Sequence, residues 1–208
     1  MQKETFCKVT LYCGDCMELM AGLDDKEFDL AVVDPPYGID VTKMNMGGRK
    51  TVKPDKSKKW DAGVPDEHYF KYLFAVSKNQ VIWGGNYFDL PPSQYFAVWD
   101  KGETMYGRDF AECELAWVRK GGTRIHKQSP VDRFRFHPTQ KPVKLYDWIL
   151  SNYAKPEHRI LDTHLGSASS AIAAYYFGCE FVGIELDQEY FDAACKRVEQ
   201  ATKQESLF

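Results

Sequence analysis

The stretch "FDLAVVDPPYG", residues 28–38, joins a nearly uninterrupted apolar run to a turn built on two prolines. Such a run is typical of a strand whose two faces are both buried in a parallel sheet. It ends at Asp34, and the following Pro35 and Pro36 fix their φ angles and have no N–H to donate. We therefore predict a rigid turn at the end of a buried strand, which presents the Asp34 carboxylate and the Tyr37 ring.

Strands and helices are predicted to alternate along the rest of the chain. The strands are expected at 8–14, 80–85, 94–101, 113–120, 159–162 and 180–185, and the helices at 15–23, 66–78, 141–154, 167–178 and 187–201. This alternation favours a three-layer α/β fold, in which a mostly parallel sheet has helices on both faces. Because 208 residues suit one ordinary domain, we predict a single domain over residues 1–208.

The charge of the chain is unevenly distributed. The net charge is −3, yet residues 43–59 carry seven Lys or Arg against one acid, and residues 119–144 carry eight against one. These stretches together hold +13, so the rest of the chain holds −16. Two basic patches on an acidic body favour a polyanionic partner over two unrelated solvated loops. We predict a mobile basic loop at about 38–62 and a short basic recognition segment at about 119–136.

The cysteines and the hydropathy narrow the class of protein further. Six cysteines are scattered along the chain, and the CxxC of Cys13 and Cys16 has no second pair at zinc spacing, so no metal site is predicted. No window reaches the roughly 18 uncharged apolar residues of a membrane span, and the N-terminus lacks the apolar stretch of a secretory signal. We expect reduced thiols and a cytoplasmic location, in a bacterium or in the bacterial host of a phage.

A second candidate site lies in residues 159–185, which are predicted to form a strand, a turn, a helix and a strand. The turn "DTHLGSASS" has Gly166 where chain and ligand would approach closely, and Glu185 ends the next strand. In nucleoside-binding α/β folds, an acid about 20 residues after the glycine turn holds the ribose hydroxyls. Ala168 stands where a second glycine is often found, so a dinucleotide is not expected. A nucleoside site and a plain βαβ turn stay the two alternatives.

These motifs together resemble the amino-methylating DNA methyltransferases, which use S-adenosylmethionine to methylate exocyclic amines of adenine or cytosine. "DPPY" (34–37) resembles the catalytic tetrad, and "HPTQKP" (137–142) resembles the cofactor motif before the glycine turn. "ILDTHLGSAS", "FVGIELD" and "YCGDCMELM" resemble the glycine turn, the ribose-binding strand and the segment beside the cofactor adenine. The tetrad precedes the glycine turn, as in the circularly permuted, beta-type group. The resemblance covers roughly residues 9–200 and implies a Rossmann-like methyltransferase fold with permuted motif order.

The resemblance implies a role for each residue of the tetrad. Asp34 and the backbone carbonyl of Pro35 would accept the two N–H groups of the exocyclic amine, and Pro36 would help to keep these acceptors fixed. Tyr37 would stack on the base after the base has flipped out of the duplex. Asp34 would chiefly orient the amine and stabilise charge.

The resemblance also implies a set of contacts to S-adenosylmethionine. Asp15 is as well placed to cap a helix, His137 could be only a turn residue before a proline, and His164, at a Phe-like position of the family motif, could pack in the core. Trp83 and the following "GGNYF" are predicted to be core and turn rather than base pocket. The implied cofactor residues are Asp15, Cys16, Asp34, His137, Thr139, Lys141, Asp162, Thr163, His164, Gly166, Ser167 and Glu185.

Double-stranded DNA is the expected partner. The lysines and arginines of the first basic stretch would contact phosphates, whereas the arginines of the second could bind guanine edges. Only about 15 residues separate the last central strand from "HPTQKP", which is too short for a recognition domain. Recognition of the DNA sequence therefore falls on loops, falls on a partner subunit, or is relaxed. A homodimer and a restriction partner are both left open. The predicted DNA contacts are Lys43, Arg49, Lys50, Lys53, Lys56, Lys58, Lys59, Arg124, Arg133 and Arg135.

The target base is less firmly indicated than the target amine. A first-position Asp in the tetrad is commoner among adenine enzymes of the family, so the expected product is methylated adenine. The alternatives are a cytosine exocyclic-amine methyltransferase of the same fold and a catalytically impaired DNA-binding relative. Methylation of RNA or of a protein glutamine is less favoured, since the protein-glutamine group has Asn in place of Asp34.

Overall fold

The computed structural model describes residues 1–39, 63–108, 111–131 and 135–205, with 204 and 205 described by backbone only. The strands of these residues form one sheet in the order β1-β2-β9-β8-β3-β4-β6-β5-β7. The strands are β1 (Gln2–Phe6), β2 (Val9–Cys13), β3 (Phe28–Val33), β4 (Ser77–Trp83), β5 (Tyr95–Asp100), β6 (Cys113–Val118), β7 (Arg124–Lys127), β8 (Arg159–Asp162) and β9 (Glu180–Glu185).

The middle of the sheet is parallel, as predicted. Strands β2, β9, β8, β3 and β4 run in the same direction, while β6 is antiparallel to its two neighbours, β4 and β5. Strand β1 pairs antiparallel with β2 at one edge, and β7 pairs parallel with β5 at the other. The prediction of a mostly parallel α/β sheet is confirmed.

Helices cover both faces of the sheet. Side chains of α1 and α2 share one hydrophobic core with the sheet, and side chains of α3, α4 and α5 share the other. Among the described residues, no helix combines the length and the apolar character needed to cross a membrane. The helices are α1 (Cys16–Met20), α2 (Glu67–Val76), α3 (Val143–Tyr153), α4 (Ser169–Phe177) and α5 (Gln188–Glu205).

Strand β3 shows why its sequence is apolar almost throughout. Leu30 and Val32 point into the core beneath α3, α4 and α5, whereas Ala31 and Val33 point into the core beneath α1 and α2. All four side chains are buried. Since successive side chains of a strand point to opposite faces, a strand with helices on both faces needs apolar residues at every position.

The neighbouring strands β3 and β8 place the two predicted motifs side by side. From β8 the chain continues through α4 to β9 on one side, and from β3 it continues through α2 to β4 on the other. Ligands of open α/β sheets bind where the strand order reverses in this way, at the carboxyl ends of the strands. Asp34 follows β3 and Asp162 ends β8, so both motifs lie at this crevice.

Three elements differ from the sequence prediction. The edge strands β1 and β7 were not predicted, because their residues are largely exposed and lack apolar alternation. Strand β7 forms part of the predicted recognition segment. Strand β4 begins at Ser77, so helix α2 ends earlier than its apolar spacing indicated. Most of the predicted basic loop lies outside the described residues.

Candidate active site

Asp34 lies directly after β3, and both of its carboxylate oxygens accept hydrogen bonds. The Tyr37 hydroxyl donates to Oδ1 over 2.6 Å, and the Lys141 ammonium donates to Oδ2 over 2.6 Å. The Asp34 side chain is 18% exposed, so it faces the crevice without being fully solvated. Pro35 is buried beside it, as expected for a rigid turn. The acceptor that the sequence predicted is therefore present and, in this conformation, engaged.

Tyr37 lies between two residues that follow strand β4. Gly84 has φ +68, and a Cβ there would lie 2.2 Å from Tyr37 Cε1, so only glycine leaves room for the ring. The Tyr87 ring stacks on Tyr37, with ring centroids 5.0 Å apart and an interplanar angle of 8°. Trp83 is fully buried, as predicted, but Tyr87 is half-exposed and belongs to the site rather than to the core. Its aromatic character next to "GG" was the signal available in the sequence.

A chain of alternating charges runs from Asp34 into the protein. Lys141 Nζ lies 3.1 Å from Glu114 Oε2, and Lys101 Nζ lies 2.8 Å from Glu114 Oε1. Burial alone would lower the pKa of Lys141, but Asp34 and Glu114 raise it. Burial alone would raise the pKa of Glu114, but Lys141 and Lys101 hold it at about 2. Lys141 was expected at the cofactor, and the structure places its ammonium on the Asp34 carboxylate.

Asp162 is buried at the end of β8, one strand away from Asp34. Its Oδ2 accepts from the Ser170 hydroxyl over 2.5 Å, and its Oδ1 accepts from the His164 backbone N–H over 3.0 Å. Burial raises the pKa of Asp162 to about 7, and the charges of Asp34 and Glu185 add to the rise, against these hydrogen bonds. The carboxyl group is thus close to its midpoint of titration near neutral pH.

Thr163 and His164 connect the turn after β8 to helix α2. The Thr163 hydroxyl lies 2.7 Å from the Tyr69 hydroxyl and 3.0 Å from His164 Nδ1. The His164 ring meets the Tyr69 ring edge to face, with centroids 5.3 Å apart. Burial lowers the pKa of His164 to about 4, so the imidazole is neutral at pH 7. His164 packs as an aromatic ring, which accounts for its position where the family motif has Phe.

The glycine turn and the acid of β9 hold each other. Gly166 has φ +51, and its backbone N–H donates to Glu185 Oε2 over 2.8 Å. The other oxygen of Glu185 accepts from the Asp187 N–H over 3.0 Å. Ala168 also has a left-handed conformation, with φ +59, which costs about 1–2 kcal/mol in a residue other than glycine. Ala168, which stands where a second glycine is often found, therefore has the left-handed backbone conformation that favours glycine.

The segment "HPTQKP" brings His137 against the glycine turn. His137 is buried, its Nδ1 lies 3.2 Å from the Thr139 hydroxyl, and its ring meets that of Tyr190 with centroids 4.5 Å apart. On the far side of the turn, Arg197 of α5 donates to the Ser167 carbonyl over 2.6 Å. Tyr190 and Arg197 support the turn and were not singled out in the sequence, because both fit the polar face of an ordinary helix.

Asp15 and Cys16 stand at the carboxyl end of β2. Asp15 caps helix α1, and its Oδ1 accepts from the Met17 N–H over 2.8 Å. Asp15 is exposed, so the cap leaves its second oxygen accessible. Burial raises the pKa of the Cys16 thiol to about 12. The thiol is therefore protonated at neutral pH, which makes it an apolar surface rather than a nucleophile.

The charges at this edge of the sheet suit a cationic ligand. Asp34, Asp162 and Glu185 stand at the ends of adjacent strands, and Lys141 is held between Asp34 and Glu114. Burial raises the pKa of Glu185 as well as that of Asp162, so both carboxylates are costly to keep charged here. A positive charge placed between them would relieve this cost. The residues thus fit a cofactor that carries a sulfonium and an ammonium group.

The predicted DNA contacts are only partly visible. Arg124 is exposed on edge strand β7, and its Nη1 donates to the Thr123 carbonyl over 3.3 Å. Arg135 donates through Nη2 to the Gln140 carbonyl over 2.8 Å, which braces the turn of "HPTQKP". The remaining predicted contacts lie outside the described residues: Lys43, Arg49, Lys50, Lys53, Lys56, Lys58, Lys59 and Arg133.

Comparison with known proteins decides the family. Residues 77–196 match the family model described as "DNA methylase". The chain belongs to the DNA methylase family. This methylase is also 40% identical to the Type II methyltransferase M2.DpnII of Streptococcus pneumoniae, over 242 aligned positions that cover 92% of this chain and 90% of the relative. The resemblance inferred from the motifs is confirmed.

Solved structures share the fold of this methylase. The S-adenosylmethionine complex of M1.HpyAVI has a TM-score of 0.60 at 22% identity and covers 91% of this chain and 99% of the other. The PvuII DNA methyltransferase, described as cytosine-N4-specific, has a TM-score of 0.62 at 12% identity, with 96% and 93% covered. The predicted Rossmann-like methyltransferase fold is thereby confirmed.

Proposed function

We propose that this DNA methylase transfers the methyl group of S-adenosylmethionine to the exocyclic amine of an adenine that has flipped out of duplex DNA. The observation that supports the proposal most directly is the Asp34 carboxylate, fixed by Pro35 at the crevice and next to the glycine turn. An Asp at this position is the form of the tetrad that is commoner among adenine enzymes. Family membership makes DNA the substrate and S-adenosylmethionine the expected donor.

The tetrad would act on the amine by orienting it. The lone pair of an exocyclic amine is delocalised into the ring, so the nitrogen becomes nucleophilic only when its two N–H groups are held out of the ring plane. Asp34 and the Pro35 carbonyl supply two acceptors on a backbone that does not need to rearrange. Tyr37 would then stack on the flipped base. For this the Tyr37 hydroxyl and the Tyr87 ring would have to release their present contacts.

The cofactor would lie along the edge from β2 to β3. S-Adenosylmethionine supplies a methyl group on a positively charged sulfur. Asp162 and the glycine turn would bind its charged methionine part, Glu185 would accept from the ribose hydroxyls, and Asp15 would lie at the adenine end. His137 and Thr139 would close the methionine side. Each of these contacts is a prediction from the family motifs and from the negative charge of the crevice.

Mass spectrometry of nucleosides tests the proposal. The protein is incubated with unmethylated DNA and S-adenosylmethionine that carries a deuterated methyl group, and the DNA is then digested. We expect deuterated N6-methyladenine. If N4-methylcytosine is the only methylated product, the target base is cytosine and the proposal of adenine is wrong. At saturating cofactor, Asp34→Asn should slow transfer by about 100-fold or more, since it loses a charged acceptor. DNA binding without cofactor binding would instead favour the catalytically impaired relative.

A further inference from the structure

Glu114 is an acid inside strand β6, where its neighbours Ala116 and Val118 are buried apolar residues. Its carboxylate lies between the ammonium groups of Lys101 and Lys141. Oε1 accepts from Lys101 over 2.8 Å. Oε2 lies 3.1 Å from Lys141 Nζ but is buried and accepts no aligned hydrogen bond from the described residues. A buried oxygen with spare acceptor capacity, next to a lysine that already has another acceptor, calls for an explanation.

The Lys141 ammonium has two acids within reach and is closer to one of them. It lies 2.6 Å from Asp34 Oδ2 and 3.1 Å from Glu114 Oε2, with the Tyr37 hydroxyl at 3.2 Å. A small displacement of the ammonium toward Glu114 would exchange one charged acceptor for the other. Such an exchange keeps the buried lysine paired, so it avoids the several kcal/mol that an unpaired buried charge costs.

The substrate amine would benefit from this exchange. In the present conformation both oxygens of Asp34 accept hydrogen bonds, one from Tyr37 and one from Lys141. Stacking of Tyr37 on the base would release Oδ1, and a shift of the Lys141 ammonium to Glu114 would release Oδ2 as well, so that the Asp34 charge is available to the amine N–H. Resting on the function proposed above, we propose that Glu114 is a positioning residue, which takes over the Lys141 ammonium so that Asp34 can accept the N–H of the target amine.

The proposal gives Lys101 a role as well. Its ammonium holds Glu114 Oε1, which leaves Oε2 aimed at Lys141. The Lys141 charge depends on both acids, because burial alone would lower its pKa. Replacing Glu114 by a neutral residue therefore lowers the pKa of Lys141 and removes the alternative acceptor at the same time. The titratable groups around the ammonium are Asp34, Tyr37 and Glu114, with Tyr146, Asp162 and Lys101 behind them.

Two measurements on Glu114→Gln test the proposal. The first is the single-turnover rate constant for methyl transfer, with cofactor and DNA affinities measured separately. We expect the rate constant to fall about 10-fold to 100-fold while both affinities stay within about 3-fold, since only the orientation of the reacting groups is impaired. The second is the titration of Lys141 in the ligand-free protein, followed by NMR with ¹³Cε-labelled lysine. Its pKa should be lower in Glu114→Gln than in the wild type.

Matched variants make each outcome decisive. Glu114→Asp keeps the charge and should retain more transfer activity than Glu114→Gln, which also covers the case in which the neutral variant folds poorly. Glu199→Gln removes the same charge from an ion pair with Lys203 on α5 and should change neither measurement. If folded Glu114→Gln transfers methyl groups at the wild-type rate, or if its Lys141 titration is unchanged, the role of Glu114 is overturned while the proposed function stands. A wild-type protein that methylates no DNA would overturn it together with the proposed function.

Discussion

At the scale of the residue, the buried Asp162 carboxylate lowers the free energy of unfolding when it is charged. Its folded pKa of about 7 lies above the ordinary value of 3.8. Between these two pH values the folded chain holds a proton that the unfolded chain has released, so stability falls as the pH rises through this window. Above it, the folded protein carries the full cost of a buried carboxylate. Since one pKa unit corresponds to about 1.4 kcal/mol, this cost is on the order of a few kcal/mol.

Asp162→Asn should therefore stabilise the ligand-free protein at pH 8 and change its stability little near pH 4. The amide keeps an oxygen for the His164 N–H and avoids the buried charge. Urea unfolding at several pH values measures the effect, with Asp192→Asn on the exposed face of α5 as the control. The variant should also bind S-adenosylmethionine more weakly. A pH dependence identical to that of the wild type would show that Asp162 does not titrate in this range.

At the scale of the element, helix α1 has only five residues and depends strongly on its first turn. Asp15 Oδ1 accepts the Met17 N–H, and such an N-cap stabilises a helix by about 1 kcal/mol relative to alanine. The sequence left two roles open for Asp15, as a cap and as a cofactor ligand. Asn caps as well as Asp does but carries no charge, so a pair of variants separates the two roles.

We expect Asp15→Ala to lower the free energy of unfolding by about 1 kcal/mol and Asp15→Asn to leave it nearly unchanged. Calorimetric titration with S-adenosylmethionine should give weaker binding for both variants, because both lose the carboxylate. If Asp15→Asn binds the cofactor as tightly as the wild type, then Asp15 acts through the cap alone.

An element could be predicted from the sequence when its structure constrains the residue types of one short stretch. The central strand β3 and the glycine turn were predicted because burial on both faces and a left-handed turn each constrain the residues of a short stretch. The edge strands β1 and β7 gain their order from one neighbouring strand each, which leaves no apolar pattern. The contact of Lys141 with Glu114 joins residues from separate elements, so no spacing in the sequence could predict it.

At the scale of the whole molecule, the sequence combines an acidic body with two basic stretches. The carboxylates of the crevice suit a cationic cofactor, whereas the basic stretches suit a polyanion. Residues 43–59 begin six positions after Tyr37 in the sequence. DNA binding releases condensed counterions in proportion to the phosphates that the protein contacts, which makes salt dependence the natural measure of this charge.

The double variant Lys58→Gln/Lys59→Gln should bind DNA more weakly at low salt and show a shallower dependence of log K on log salt, with the slope smaller by about 1.8 if both lysines contact phosphates. Fluorescence anisotropy at several salt concentrations measures it. Lys155→Gln/Lys203→Gln removes the same charge near the amino end of β8 and from the last turn of α5, so its slope should match the wild type. Equal slopes for all three proteins would exclude Lys58 and Lys59 from the DNA contact.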